Sequence, residues 1–379
     1  MKITIVNQHT NNFGDEAAGI SLINNLFNKI PNLKVYLIYN GNDKIHYDRE
    51  NLYHLVDYKL KNMGYFNIFM KFLFHKYKGN ETMQKFDEQI KSSDYVFVAP
   101  CGANIGIYKD WRFLTRVLFV VFNGKTPIFH LNTIGKSGNF LFDKLALYAL
   151  RKSKVYVREK KSLEYMNDNK IDAKLGIDTA FLLDVDKNIK IDENRFTFVA
   201  SDVAKHKNFK NIETKKMMNE KIIPAIAKVV KERKLSLHLL PHLNTEEESR
   251  FIDDIINVLK KEHNIDNIVK DNVETVFDYY EMIAKSKAVI GMRYHAIVLA
   301  AVANTPFIGL GYENKMIEAS EYTEMSQQCI KIYEDFEKED IIEKINVALD
   351  ENDRFVKELK DVNKKIKPLA ELPLGEIKC

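Results

Sequence analysis

The feature that most constrains this chain is a rhythm, in which short apolar runs alternate with longer amphipathic segments over most of its length. That rhythm is the signature of βαβ units and a mainly parallel sheet, because parallel strands need a crossover connection between them. In the first half the candidate strands are Ile3–Val6, Val35–Tyr39, Tyr95–Ala99, Thr126–Leu131 and Val155–Val157. Helices are expected over Ala17–Lys29, Glu81–Ser92, Leu141–Lys152 and Lys161–Asn169. After Leu183 the composition turns polar, in DVDKNIKIDEN, and the rhythm then restarts. Strands are expected at Phe196–Ser201, Ser236–Leu240, Asn267–Val269, Ala288–Ile290 and Phe307–Leu310, with helices at Glu213–Lys234, Glu246–Lys261 and Val273–Lys285. At 379 residues the chain also exceeds what one hydrophobic core usually supports. The expected architecture is α/β: two Rossmann-like, doubly wound domains facing a cleft, 1–188 and 189–345, followed by a charged helical tail, 346–379.

Composition narrows the class. Hydrophobic residues at 45% and charged residues at 29% describe a soluble globular protein. A net charge of +4 is too small to demand a nucleic-acid partner, and none is expected. Cys101, Cys329 and Cys379 show no CxxC or Cys/His spacing, which fits a reducing compartment and argues against disulfides or a structural zinc. The start, MKITIVNQ, lacks the apolar core of a signal peptide. The longest apolar run, Val117 to Phe122, stops at Asn123-Gly124-Lys125, too short for a bilayer. The cytoplasm is the expected location.

Three polar loops fall at successive strand ends in the first half. QHTNNFGDEAAG follows the first strand and holds Asn12, Gly14, Asp15 and Glu16. Acidic residues in a first helical turn ordinarily stabilise the helix dipole, and that is one reading of Asp15 and Glu16. The other is a ligand loop, since ligands of open α/β sheets bind outside the strand C-termini. No GKS, GKT or GxGxxG follows, so nucleotide binding is not signalled. VFVAPCGANIGIYKDW places Gly102 and Asn104 in a compact loop able to offer backbone N–H groups. IFHLNTIGKSGN places His130 and Asn132 past another strand end, either as hydrogen-bonded structural groups or as part of the same site.

The most informative stretch is GMRYHAIVLAAVANTP, Gly291 to Pro306. A buried strand becomes an apolar, small-residue helix, and Arg293 and His295 stand at the junction. A helix N-terminus concentrates unpaired N–H donors, so an adjacent arginine makes a pocket for phosphate or carboxylate. The competing reading is a structural ion pair between Arg293 and a carboxylate from elsewhere. GLGYENKM then supplies Lys315 as a second cation for that pocket.

With NNFGDEAAGISLINNL, PCGANIGIYKDW, HLNTIGKSGN, VYVREKKSLEYM, GIDTAFLL and above all GMRYHAIVLAAVANTPFIGLGYENK, the chain resembles the polysaccharide pyruvyl transferase family. The resemblance covers residues 11 to about 315. It implies a fold like the GT-B glycosyltransferases and transfer of pyruvate from phosphoenolpyruvate onto two hydroxyls of a sugar. The product is a cyclic ketal and phosphate is released. The family's Arg-x-His motif, which contributes to donor binding and catalysis, lands here on Arg293 and His295. Many members carry an arginine after the first strand of the second domain; FVASDVAKHKN has none, and Lys205 or His206 stands in its place. A glycine pair of the family is altered to Pro100-Cys101-Gly102.

On this reading Arg293, Lys315, Gly291, Lys205 and His206 bind the donor and His295 is the general acid. Asp15 orients or deprotonates the acceptor, with Asn12, Gly14, Glu16, Gly102, Asn104, His130 and Asn132 on the acceptor side. The cations suffice to neutralise the donor, so neither a metal nor a cofactor is expected beyond phosphoenolpyruvate as co-substrate. The aromatic stretch GYFNIFMKFLFHKYKG, with Lys71, Lys76 and Lys78, reads either as a helix covering the core or as an interfacial helix on the inner membrane leaflet. Lipid-linked saccharide acceptors would reside at that leaflet. Two rival functions are a GT-B glycosyltransferase using a nucleotide sugar and a catalytically inactive sugar- or anion-binding protein.

Overall fold

A computed structural model describes the chain except residues 42, 56–64, 75–79, 186–188, 206–213 and 379, together with the side chains of 65, 66, 69, 72 and 205. The first sheet contains β1 (Lys2–Gln8), β2 (Lys34–Tyr39), β3 (Leu52–Leu55), β4 (Tyr95–Val98), β5 (Pro127–Asn132), β6 (Lys154–Val157) and β7 (Ala173–Leu175). The second contains β8 (Asp192–Val199), β9 (Ser236–Leu239), β10 (Ile268–Lys270), β11 (Ser286–Gly291), β12 (Phe307–Gly311) and β13 (Cys329–Lys331). Their orders are β3-β2-β1-β4-β5-β6-β7 and β10-β9-β8-β11-β12-β13. Neighbouring strands in both sheets pair in parallel. Each sheet therefore reverses direction once, between β1 and β4 and between β8 and β11, as the doubly wound expectation requires.

The central strands are buried on both faces, which explains why they read as continuous apolar runs. β5 is buried along its whole length and β12 likewise. Val6, Val98 and Phe129 pack with Phe113, Val117 and Phe142 in the first core. Phe196, Phe198, Ile290, Ile297 and Phe307 are fully buried in the second. Each such side chain contributes roughly 1.5–3 kcal/mol on burial.

Strands β3, β7 and β13 lay outside the sequence reading. All three are sheet edges of three or four residues with half-exposed sequences, LYHL, AKL and CIK, so no apolar run marks them. The helix expected from 213 to 234 is Thr214–Met217, a π-turn at Met218–Ile222 and Ile223–Arg233. Pro224, just inside the last segment, has no N–H to continue the regular ladder.

The chain forms two compact units. One comprises residues 1–10, 15–184 and 367–379; the other comprises 11–14 and 185–366. The expected charged tail is not a body of its own. Residues 346–366 group with the second unit and 367–379 with the first, and the helix Asn352–Ala370 buries Phe355, Leu359 and Val362. Within the aromatic stretch, Ile68 of the helix Tyr65–Leu73 is buried while Leu73 and Phe74 are exposed; Lys76 and Lys78 lie outside the described residues. Among the described residues, no helix is long and apolar enough to cross a membrane.

Candidate functional site

In the second unit the sheet reverses between β8 and β11, so the exits of these two strands define its ligand position. β11 ends at Gly291, where an added Cβ would come within 3.2 Å of the Ala296 Cβ; the strand-to-helix turn is that tight. Arg293, in extended conformation, is the N-cap of the helix Tyr294–Ala303, and its own side chain does not cap the first turn. That helix is buried from Tyr294 through Ala301, so its positive end is fixed in the fold.

Arg293 has a carboxylate partner. Its Nη2 donates to Glu248 Oε2 at 2.6 Å, with the arginine side chain 22% exposed and the glutamate 5%. Glu248 sits in the first turn of the helix Glu246–His263, capped by Thr245. Its Oε1 accepts from the backbone N–H of His242 at 2.6 Å and of Leu243 at 3.0 Å. The structural ion pair that the sequence left open is thus present, yet it does not seal the arginine. Arg293 lines a cavity of about 220 Å³ with Ser201, Asp202, Thr245, Phe251 and Tyr312. Its Nε is buried and has no hydrogen-bond partner among the described residues. Glu248 therefore fixes one edge of the guanidinium and leaves another donor uncommitted.

His295 lies two residues on, buried to 5% exposure. The imidazole of His242 stacks on it with ring centroids 6.2 Å apart, and Tyr294 meets it edge-on at 4.9 Å. His242 Nδ1 is 3.0 Å from the Tyr279 hydroxyl, and Tyr279 stacks on Phe13 at 5.3 Å. Burial, reinforced by the nearby charges of Arg293, His295 and Lys315, holds His242 well below the usual histidine range. Burial pushes Tyr279 well above its own. Both are neutral near pH 7, so this stack adds no charge of its own beside His295.

The loop of residues 11–14 closes on this stack. Asn12 bridges to Leu243, and the Gly14 N–H donates to Asn12 Oδ1 at 3.0 Å. A Cβ at Gly14 would fall 1.9 Å from His295 Nδ1. Two motifs from opposite ends of the sequence, Asn12–Gly14 and Arg293–His295, are therefore brought together. Lys315 pairs with Glu313 at 2.9 Å and lies 5.7 Å above the Tyr294 ring.

The remaining sequence candidates divide. Asp15 and Glu16 open the helix Phe13–Lys29, and Glu16 is buried. At the exits of β1 and β4, Asn104 Nδ2 donates to His9 Nε2 at 3.0 Å. Gly102 O accepts from the Asn104 N–H at 2.8 Å, and a Cβ at Gly102 would meet Tyr108 only at ordinary contact distance. Asn132 is buried and braces two loops through Ala99 O at 2.8 Å and Cys101 Sγ at 3.2 Å; burial pushes the Cys101 thiol up to about 12. His130 is sealed in the core beside Thr179, and burial pulls it down to about 3. An acceptor on the surface cannot touch it, which assigns it the structural reading. His206 and the side chain of Lys205 lie outside the described residues.

Glu248, His242 and Tyr279 were missed by sequence reasoning. The signal was PHLNTEEES, a strand exit carrying a histidine before an acidic helix start, which resembles an ordinary cap.

No curated protein matches the chain by sequence. Among solved structures it is similar to UDP-GlcNAc 2-epimerase from Neisseria meningitidis bound to UDP-GlcNAc, with TM-score 0.60, 12% identity and 99% of each chain covered. It is similar also to UDP-GlcNAc 2-epimerase from Methanocaldococcus jannaschii, with TM-score 0.59, 12% identity and 92% of this chain and 93% of that one covered. A third likeness is to ADP-heptose lipopolysaccharide heptosyltransferase II of E. coli, with TM-score 0.52, 13% identity and 93% and 100% covered. These likenesses define the class by fold, that of the GT-B enzymes. The family profile described as polysaccharide pyruvyl transferase matches residues 12–314, and the chain belongs to that family.

Proposed function

We propose that the protein transfers the pyruvyl group of phosphoenolpyruvate to two hydroxyls of a saccharide, on a cell-surface polysaccharide or its lipid-linked precursor at the inner face of the membrane. The observation that carries this reading is Arg293 on the cavity wall, with one edge held by Glu248, at the start of a buried helix that its own side chain does not cap. The donor brings a carboxylate and a phosphate monoester of about −1.5 to −2 charge, and such a position favours both. Asp202 and Glu247 on the same wall oppose a polyanion, so the donor seats against Arg293. Lys315 adds a second cation on the donor side, and Lys205 or His206, which follow β8 in the sequence, takes the role of the family's arginine.

The chemistry needs an acid and a base. His295, as general acid, delivers a proton to the methylene carbon, giving a methyl group and oxocarbenium character at the central carbon. One sugar hydroxyl adds there and gives its proton to Asp15, the residue after Gly14. Phosphate then leaves with the C–O electron pair, the second hydroxyl closes the ring, and its proton is released. Donor and diol thus become ketal and inorganic phosphate. No metal enters this scheme, in which Arg293, Lys315 and the helix N-terminus face the donor's charge.

The test is incubation with phosphoenolpyruvate and a panel of saccharides, scoring phosphate release together with a product whose mass has gained one pyruvyl ketal. A second reading, nucleotide-sugar transfer, is favoured by the whole-chain likeness to an enzyme bound to UDP-GlcNAc. Release of a nucleoside diphosphate from a sugar nucleotide, without phosphate release from phosphoenolpyruvate, supports that reading. Thermal stabilisation by phosphoenolpyruvate without turnover supports a binding protein.

A further inference from the structure

The helix Phe140–Leu150, FLFDKLALYAL, carries only Asp143 and Lys144 as charged residues. A helix that is apolar on all sides normally lies inside a protein. Here only Phe142, Ala146, Ala149 and Leu150 are buried. Phe140 is 82% exposed, Leu141 57% and Tyr148 43%. With exposed Lys144 they make one outward stripe, at the spacing that places residues on a common helical face.

The stripe begins on a firmly held turn. Asn139 caps the helix by accepting from the Phe142 N–H, and Asp143 accepts from the Ser137 N–H at 2.9 Å. A bridge between Ile105 and Ile134 ties this turn to the loop after β4, and Trp111 meets Phe142 edge-on at 5.0 Å. Lys109 on the loop after β4 and Lys136 on the turn are both exposed. Exposed apolar groups with exposed lysines on the same helix and on the turns tied to it are the composition of an interfacial anchor.

We propose that this face of the first unit docks on an anionic phospholipid bilayer. Phe140 and Leu141 enter the boundary between headgroups and acyl chains, and Lys109, Lys136 and Lys144 meet the anionic headgroups. Charge selects this occupant over a second copy of the chain, since a twofold contact through the stripe would set the lysines of two copies near one another. Docking places the strand-exit rim of the first unit beside the membrane surface. The inference rests on the reading of a lipid-linked acceptor for its purpose only; vesicle binding is measured without turnover, so each can fail alone.

The experiment is co-sedimentation of the full chain with vesicles of phosphatidylglycerol and phosphatidylcholine, and of phosphatidylcholine alone. The wild type is expected to bind the anionic vesicles and to be released by salt. F140E/L141E and K136E/K144E should each lower the bound fraction at least fivefold. Their melting temperatures and their turnover of a soluble saccharide should stay at wild-type values. Wild-type binding by F140E/L141E, or no binding of the wild type to anionic vesicles, overturns the proposal. So does a dimer seen by sedimentation that F140E/L141E breaks while vesicles are ignored.

Discussion

Gly14 lies against the imidazole of His295 so closely that a Cβ at position 14 would stand 1.9 Å from Nδ1 and 2.0 Å from Cγ. Only a glycine lets residues 11–14 close on that ring. Gly14→Ala must displace either the loop or His295, and a displacement of about 1 Å can cost on the order of 100-fold in rate. The expected result is a loss of kcat of that order with phosphoenolpyruvate. Steady-state kinetics check it, and an unchanged kcat would remove His295 from its proposed position.

His295→Gln keeps a polar side chain of similar reach but cannot deliver a proton at neutral pH. It should lower kcat by about 100- to 10,000-fold, the range general acids supply, with little change in melting temperature. Arg293→Lys should chiefly raise the KM for phosphoenolpyruvate, because a lysine cannot both bind Glu248 and offer a planar second edge.

Glu248 separates support from competition. If it orients Arg293, Glu248→Gln should raise the donor KM while leaving kcat near the wild type. Glu248→Ala strips a partly buried arginine of its partner, and stability should fall by about 3–5 kcal/mol in denaturant unfolding. A lower donor KM in Glu248→Gln would instead mark Glu248 as a competitor for the anion.

His130 gives a pH dependence of known sign. Its folded pKa is about 3, below the unfolded value of 6.5, so the unfolded chain binds the extra proton as pH falls. Stability is intact above pH 6.5 and is lost at about 1.4 kcal/mol per pH unit below it, roughly 2 kcal/mol by pH 5. His130→Asn should be less stable at pH 7 yet show a shallower acid slope, measured by urea unfolding between pH 7 and pH 5. Depressed His242 contributes with the same sign.

Chelation tests the metal-free scheme. Prolonged treatment with EDTA followed by desalting should leave the rate within about twofold of the untreated enzyme, since a required metal would supply several kcal/mol of charge stabilisation. A collapse restored by one divalent cation would overturn it.

The central strands, the doubly wound class and the Arg-x-His junction were determined by the sequence itself. Strands buried on both faces must be continuous apolar runs, and a strand passing directly into an apolar helix leaves few places for its cations. Edge strands β3, β7 and β13 left no such mark, because exposure on one side lets their sequences turn polar. Tertiary structure alone decided that Gly14 serves His295 and that Glu248 holds Arg293. It also decided that His130 is sealed, whereas Phe140 is not. Each is a contact between residues remote in the chain, and local periodicity carries no information about which side chain a folded backbone will bring opposite another.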